Sequence, residues 1–104
     1  MKDYILEVCV DSVESALAAE RGGATRLELC ANLVIGGTTP GYPLFELVKK
    51  ETGLPVRTLI RPRFGDFLYT QYEHRQMLQD IRHFAQAGAD GVVIGSLNAD
   101  GTLN

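Results

Sequence analysis

The sequence predicts an α/β fold built on a parallel sheet, and three observations lead there. Short β-branched, apolar segments alternate with segments of helical periodicity in the order β-α-β-α-β-α-β, the pattern of parallel strands joined by crossover helices. A helix stop feeding a strand occurs twice, as Gly23-Ala24-Thr25-Arg26-Leu27-Glu28-Leu29 and as Gly88-Ala89-Asp90-Gly91-Val92-Val93-Ile94. A recurring β/α unit favours a barrel over an open sheet. Charged residues, Glu7, Glu28 and Arg57, also stand inside strands. Strands of an open doubly wound sheet are covered on both faces and read as nearly continuous apolar runs. A barrel interior accepts charges that pair across strands.

The elements follow in order. Tyr4 to Val10 reads as the first strand. Asp11, followed by Glu14 three residues on, reads as a capping box for a helix carrying Val13, Ala16 and Leu17, which Gly22-Gly23 stops. Arg26 to Cys30 is the second strand, and Gly36-Gly37-Thr38-Thr39-Pro40-Gly41 a glycine-rich loop. The next helix places Leu44, Leu47 and Val48 on one face and ends near Gly53. Pro55 introduces the third strand, Val56 to Ile60. After the loop Arg61-Pro62-Arg63-Phe64-Gly65-Asp66-Phe67, Thr70 and Glu73 form a capping box for the longest helix. Its stripe is Met77, Leu78, Ile81, Phe84 and Ala85. Gly91 to Gly95 is the fourth strand, and the tail from Asn98 is turn-like. His74 and His83, nine apart in one helix, read as solvated surface residues.

Composition narrows the function classes. The 104 residues are 45% hydrophobic and 22% charged with a net charge of -3, an ordinary globular balance. With no excess of Lys and Arg, general affinity for nucleic acid is not expected. No apolar run approaches the ~20 residues that span a bilayer, and the N-terminus does not read as a signal peptide. The expected setting is the cytoplasm, where Cys9 and Cys30 are reduced thiols.

Alternation within strands gathers candidate site residues. Residues i and i+2 share a face. Glu7 and Cys9 therefore share one face of the first strand, and Glu28 and Cys30 one face of the second, opposite Leu27 and Leu29. Arg57 joins them from the third strand. The expectation is that leucine faces meet helices, while Glu7, Glu28 and Arg57 form an inward charged cluster. The thiols then lie at the carboxyl ends of their strands, where parallel α/β proteins place their sites. Two thiolates can hold a soft ion such as Cu(I), although free cysteine also serves simply as a small buried hydrophobe. Arg61, Arg63 and Asp66 offer a second candidate, a grip on a phosphate or carboxylate. The alternative for that loop is salt bridging that braces it. The Gly36 to Gly41 loop lacks the lysine of a P-loop and the spacing of a dinucleotide fingerprint.

Four stretches together resemble the N-terminal part of the CutC copper-homeostasis family: Leu6-Glu7-Val8-Cys9-Val10-Asp11-Ser12; Gly23-Ala24-Thr25-Arg26-Leu27-Glu28-Leu29-Cys30; Gly36-Gly37-Thr38-Thr39-Pro40; and Ile60-Arg61-Pro62-Arg63-Phe64-Gly65-Asp66-Phe67-Leu68-Tyr69. Phe64, where a glycine is common, and Gly41, where a serine is common, depart from the pattern. The resemblance implies a (β/α)8 TIM-type barrel, of which residues 1–104 form the first half as one truncated domain. It also implies a cytoplasmic copper-homeostasis role with Cu(I) as the cofactor, bound through thiols at Cys9 and Cys30. It carries no firmly established catalytic activity. Two alternatives stand beside that role: an enzyme acting on a small anionic substrate through Arg61, Arg63 and Asp66, and a half-barrel without independent function. Expected partners are a metal ion or small anion, and a second copy of the chain through open sheet edges.

Overall fold

Alternating extended and helical segments build one parallel sheet in the computed structural model, which describes residues 3–104. The strands are β1 (Glu7–Val10), β2 (Arg26–Leu29), β3 (Val56–Leu59) and β4 (Gly91–Val93). Between them run α1 (Val13–Arg21), α2 (Tyr42–Glu51) and α3 (Gln71–Gln86). The sheet order is β1-β2-β3-β4 with every pair parallel, so each helix is a crossover between neighbouring strands. A single 3₁₀ turn, Leu33–Ile35, precedes the glycine-rich loop and is not legible in the sequence pattern.

Local chemistry explains where the helices begin. Ser12 caps α1: its hydroxyl accepts from the Ser15 N–H, and the Ser15 side chain returns the bond to the Ser12 N–H. This corrects the reading of Asp11 and Glu14 as the box. The box is one residue later, and a serine stands in for the usual Glu or Gln. Thr70 and Glu73 cap α3 as expected, with Glu73 accepting from the Thr70 N–H at 2.8 Å. Gly41 supplies no side-chain cap to α2. Pro43 near the start of that helix has its φ already set for it.

The repeated Gly-Ala unit is a repeated structure. Gly23 and Gly88 both take left-handed φ, +104° and +94°, which a side chain would disfavour. The following alanine N–H then closes back onto the helix, Ala24 to the Ala19 carbonyl and Ala89 to the Phe84 carbonyl. The third residue of each unit reaches sideways. Thr25 Oγ1 accepts from the Leu6 N–H and Asp90 Oδ2 from the Val56 N–H, each at 2.8 Å. One device thus ends a helix and holds the start of the neighbouring strand.

The core lies between the sheet and the helices. Val10, Leu27, Leu29, Val56 and Ile60 meet Ala16, Phe45, Val48, Met77 and Phe84. Phe45 and Phe84 touch edge to face at 5.3 Å between centroids. Two expected stripes need correction. In α2, Phe45 takes the core position and Leu47 is half exposed; in α3, Leu78 and Ala85 face out.

Candidate functional site on the inner face of the sheet

Side-chain alternation sorts the strands into two faces. Leu27 and Leu29 are fully buried under the helices, as is Thr58. Glu7, Cys9, Glu28 and Arg57 lie on the opposite, concave face, with Glu7, Glu28 and Arg57 half-buried and Cys9 exposed. The register then decides who meets whom. Glu7 is opposite Arg26, Cys9 opposite Glu28, and Glu28 opposite Arg57.

That offset corrects the expected charge cluster. Glu7 pairs with Arg26, Nε to Oε1 at 2.6 Å, not with Arg57. Arg57 leans the other way. A Cβ built on Gly91 would come within 3.3 to 3.5 Å of Arg57 Cγ, Cδ and Nε, so the side chain lies over β4 where glycine leaves room. Among the described residues Arg57 makes no ion pair. Among the described residues no cation makes an ion pair with Glu28. Burial raises its pKa above the usual carboxylate range, and the neighbouring Glu7 adds to the rise.

The thiols sit beside this carboxylate. Cys30, just past β2, is buried, and its Sγ approaches Glu28 Oε2 at 3.7 Å. Its pKa is pushed up to about 12, by burial first and then by Glu28. Cys9 is also raised, by burial and then by Glu28 and Glu7, while a hydrogen bond with Cys30 pulls it the other way. The two thiols are therefore neighbours across β1 and β2, each held protonated by its surroundings.

Gly37 closes the site from above. Its φ is +91°, and an added Cβ would lie 3.0 Å from Leu59 Cδ2 and 3.5 Å from Cys30 Cβ. The loop is tied down by the Ala31–Thr38 bridge and by Asn32, itself left-handed at φ 54°, whose amide donates to Thr38 Oγ1. The glycines therefore serve close approach to the thiol and a tight turn.

The arginine loop is braced from within. All three guanidinium nitrogens of Arg63 donate: Nε to Glu73 at 2.6 Å, Nη1 to the Phe64 and Asp66 carbonyls, and Nη2 to Asp66 Oδ1 and the Leu68 carbonyl. Its plane lies over the Tyr69 ring. Asp66 is held below the usual carboxylate range by the Leu68 N–H and then by Arg63. Arg61 ties this loop to the glycine loop, donating to the Gly37 and Gly65 carbonyls at 3.0 and 2.9 Å. Among the described residues, Arg61 Nε and the Tyr69 hydroxyl are buried with no hydrogen bond of good geometry, although the Arg61 guanidinium lies near enough to the Tyr69 hydroxyl to act on it. Sequence reasoning did not single out Tyr69 as a site residue, nor Arg26, which it placed only as the first residue of the second strand. The residue to find was the cation facing Glu7 one strand away. His74 is half-buried and its Nε2 lies 2.9 Å from Ser96 Oγ, which corrects the solvated reading; His83 is exposed and stacks on Tyr42.

The CutC family matches residues 4–104. The chain belongs to the CutC family. It is 52% identical over 101 residues to the copper homeostasis protein cutC homologs of Mus musculus and of Homo sapiens, covering 97% of this chain and 37% of each relative. It is 46% identical to a family protein CutC of Treponema denticola, over 100% of this chain and 42% of that one. The chain thus spans about two fifths of the length of these curated relatives. The crystal structure of CutC from Streptococcus agalactiae superposes with a TM-score of 0.84 at 34% identity, over 93% of this chain and 48% of that one. The CutC fold is of TIM-barrel type, and four parallel strands alternating with helices are half of such a barrel.

Proposed function

We propose that this CutC-family chain serves copper homeostasis by binding Cu(I) through the thiolates of Cys9 and Cys30. The observation that carries the reading is the juxtaposition of those two thiols on neighbouring strands, at the ends where parallel α/β folds place their sites. Soft thiolates select Cu(I), which accepts few ligands. A structural zinc site needs four ligands, and among the described residues no group of three or more His, Cys, Asp and Glu is placed so that it could hold a metal ion. The names of the mouse and human relatives support the role. Cytoplasmic placement belongs to the same reading, since thiols there stay reduced.

Metal binding must displace protons that burial and Glu28 hold on the sulfurs, so affinity should climb with pH. Competition against a Cu(I) chromophore tests this. The expected result is loss of binding in Cys9→Ser/Cys30→Ser and tighter binding as pH rises. Unchanged affinity in the double variant refutes the reading.

A second reading, an enzyme for a small phosphate- or carboxylate-bearing substrate, is supported by the buried Arg61 Nε and Tyr69 hydroxyl, which make no hydrogen bond of good geometry among the described residues. There Arg63 and Asp66 act as scaffold, because their hydrogen-bonding capacity is used inside the loop. Stabilisation by phosphorylated small molecules that vanishes in Arg61→Ala would favour it.

A further inference from the structure

We infer that Arg61 is a latch: by holding the Gly37 carbonyl it keeps the glycine-rich loop closed over the Cys30 thiol, so that a soft ion or thiol reagent reaches that sulfur only when the loop lifts. Cys30 is 1% exposed, and what covers it is backbone. A Cβ built on Gly37 would lie 3.5 Å from Cys30 Cβ and 3.6 Å from its Sγ, with Leu59 Cδ2 closing the other side at 3.0 Å. At φ +91° and with so little room, glycine alone lets the chain lie this close to the sulfur. Cys9, one strand away, stands outside this cover.

The bonds that shape the loop differ from those that fix its place. The Ala31–Thr38 bridge, the Asn32 amide on Thr38 Oγ1, and the Gly36 and Gly37 N–H bonds to the Leu33 and Asn32 carbonyls join residues 31–38 to one another. They travel with the loop as it moves. Residue 61 instead ties it to the end of β3. Arg61 Nη1 donates to the Gly37 carbonyl at 3.0 Å. The Arg61 N–H donates to Thr39 Oγ1 at 2.8 Å, and its carbonyl accepts from the Thr39 N–H at 2.9 Å. A charged donor makes a hydrogen bond about twice as strong as a neutral one, so the guanidinium outweighs either Thr39 bond.

The latch is itself held. Arg61 Nη2 donates to the Gly65 carbonyl at 2.9 Å, and the guanidinium lies over the Phe67 ring at 5.0 Å. An added Cβ on Gly36 would stand 3.1 Å from Nη1, so Gly36 leaves room for the arginine as Gly37 does for the thiol. Under the copper reading, Cys30 is then the donor released when Arg61 lets go. The latch is tested without metal, so its failure and the failure of copper binding are distinguishable.

The test is alkylation of the full chain by pulses of iodoacetamide, read by mass spectrometry. The two thiols fall in different tryptic peptides, Cys9 before Arg21 and Cys30 between Arg26 and Lys49. Variants are first checked for folding by circular dichroism. Arg61→Ala should speed Cys30 labelling at least about tenfold, the effect of one lost charge-assisted hydrogen bond on a local opening, and leave Cys9 within about twofold. Loss of a nearby cation by itself disfavours a thiolate and slows labelling, so acceleration reads the loop and not the charge. Gly37→Ala keeps the arginine but sets a methyl against Leu59 and Cys30; pushing the loop off, it should speed Cys30 as well. In both variants the Cys30 rate should stay nearly flat in low urea, because lifting a loop exposes little surface. No acceleration in a folded Arg61→Ala or Gly37→Ala, an equal acceleration at Cys9, or a Cys30 rate that climbs steeply with urea, as in global unfolding, would each overturn the proposal.

Discussion

On the helix side of the sheet Val10, Leu27, Leu29, Val56 and Thr58 are at most 1% exposed, while on the concave side of the same strands Glu7, Glu28 and Arg57 are half-buried and Cys9 is exposed. The helix side holds the molecule together by removing apolar surface from water. The concave side gathers groups that cost stability, including a carboxylate that makes no ion pair among the described residues and two thiols crowded against it. A strand with one face committed to a core is free to carry chemistry on the other. The period of two keeps the two tasks from interfering.

The contrast breaks most sharply at its buried pole. Leu27→Ala removes a fully buried side chain and should lower unfolding free energy by about 3–4 kcal/mol in urea titrations. Cys9→Ser, on the exposed face, should stay within about 0.5 kcal/mol. Equal losses would mean the concave face is packed after all.

The Gly-Ala-x device sits between these extremes. Asp90→Asn removes the charge that serves the Val56 N–H and Lys49 but keeps an amide oxygen able to accept, and should cost about 1 kcal/mol, from the weakened backbone hydrogen bond and the lost ion pair. The folded pKa of Asp90 is depressed by that N–H and then by Lys49. Its contribution is therefore present above the ordinary carboxylate pKa and lost as pH falls through the folded value. Acid titration of Tm should show the parent and Asp90→Asn converging at low pH, and parallel curves would contradict the assignment.

The smallest effect sharpens the concave pole. The folded pKa of Glu28 is raised, so its protonated form favours the fold, and that benefit fades as pH rises through the folded value. Glu28→Gln should raise Tm slightly at neutral pH. It should also move thiol alkylation to lower pH, because the carboxylate that holds up both sulfurs is gone. An unmoved alkylation profile would show that burial alone sets the thiols.

Much of this fold is legible in the sequence for local reasons. Strand alternation placed Leu27 and Leu29 under the helices and the Glu-x-Cys pairs on the other side, because side-chain direction depends only on the chain itself. The Thr70–Glu73 box and the glycine stops are readable because their bonds lie within a few residues. The α1 cap was misplaced by one residue because a serine can play the part of the usual glutamate, and Leu47 and Leu78 were misassigned because a stripe does not announce how much of it neighbours will cover.

What the sequence determined by itself, then, is the order of elements, the class of fold and the face on which each candidate residue lies. Tertiary structure alone decided the offset between strands. Register is set by hydrogen bonds between segments far apart in the chain, so it could not be read from either strand. That offset gave Glu7 to Arg26, set Cys9 beside Glu28, brought Gly37 down onto Cys30 and left Arg57 lying across Gly91.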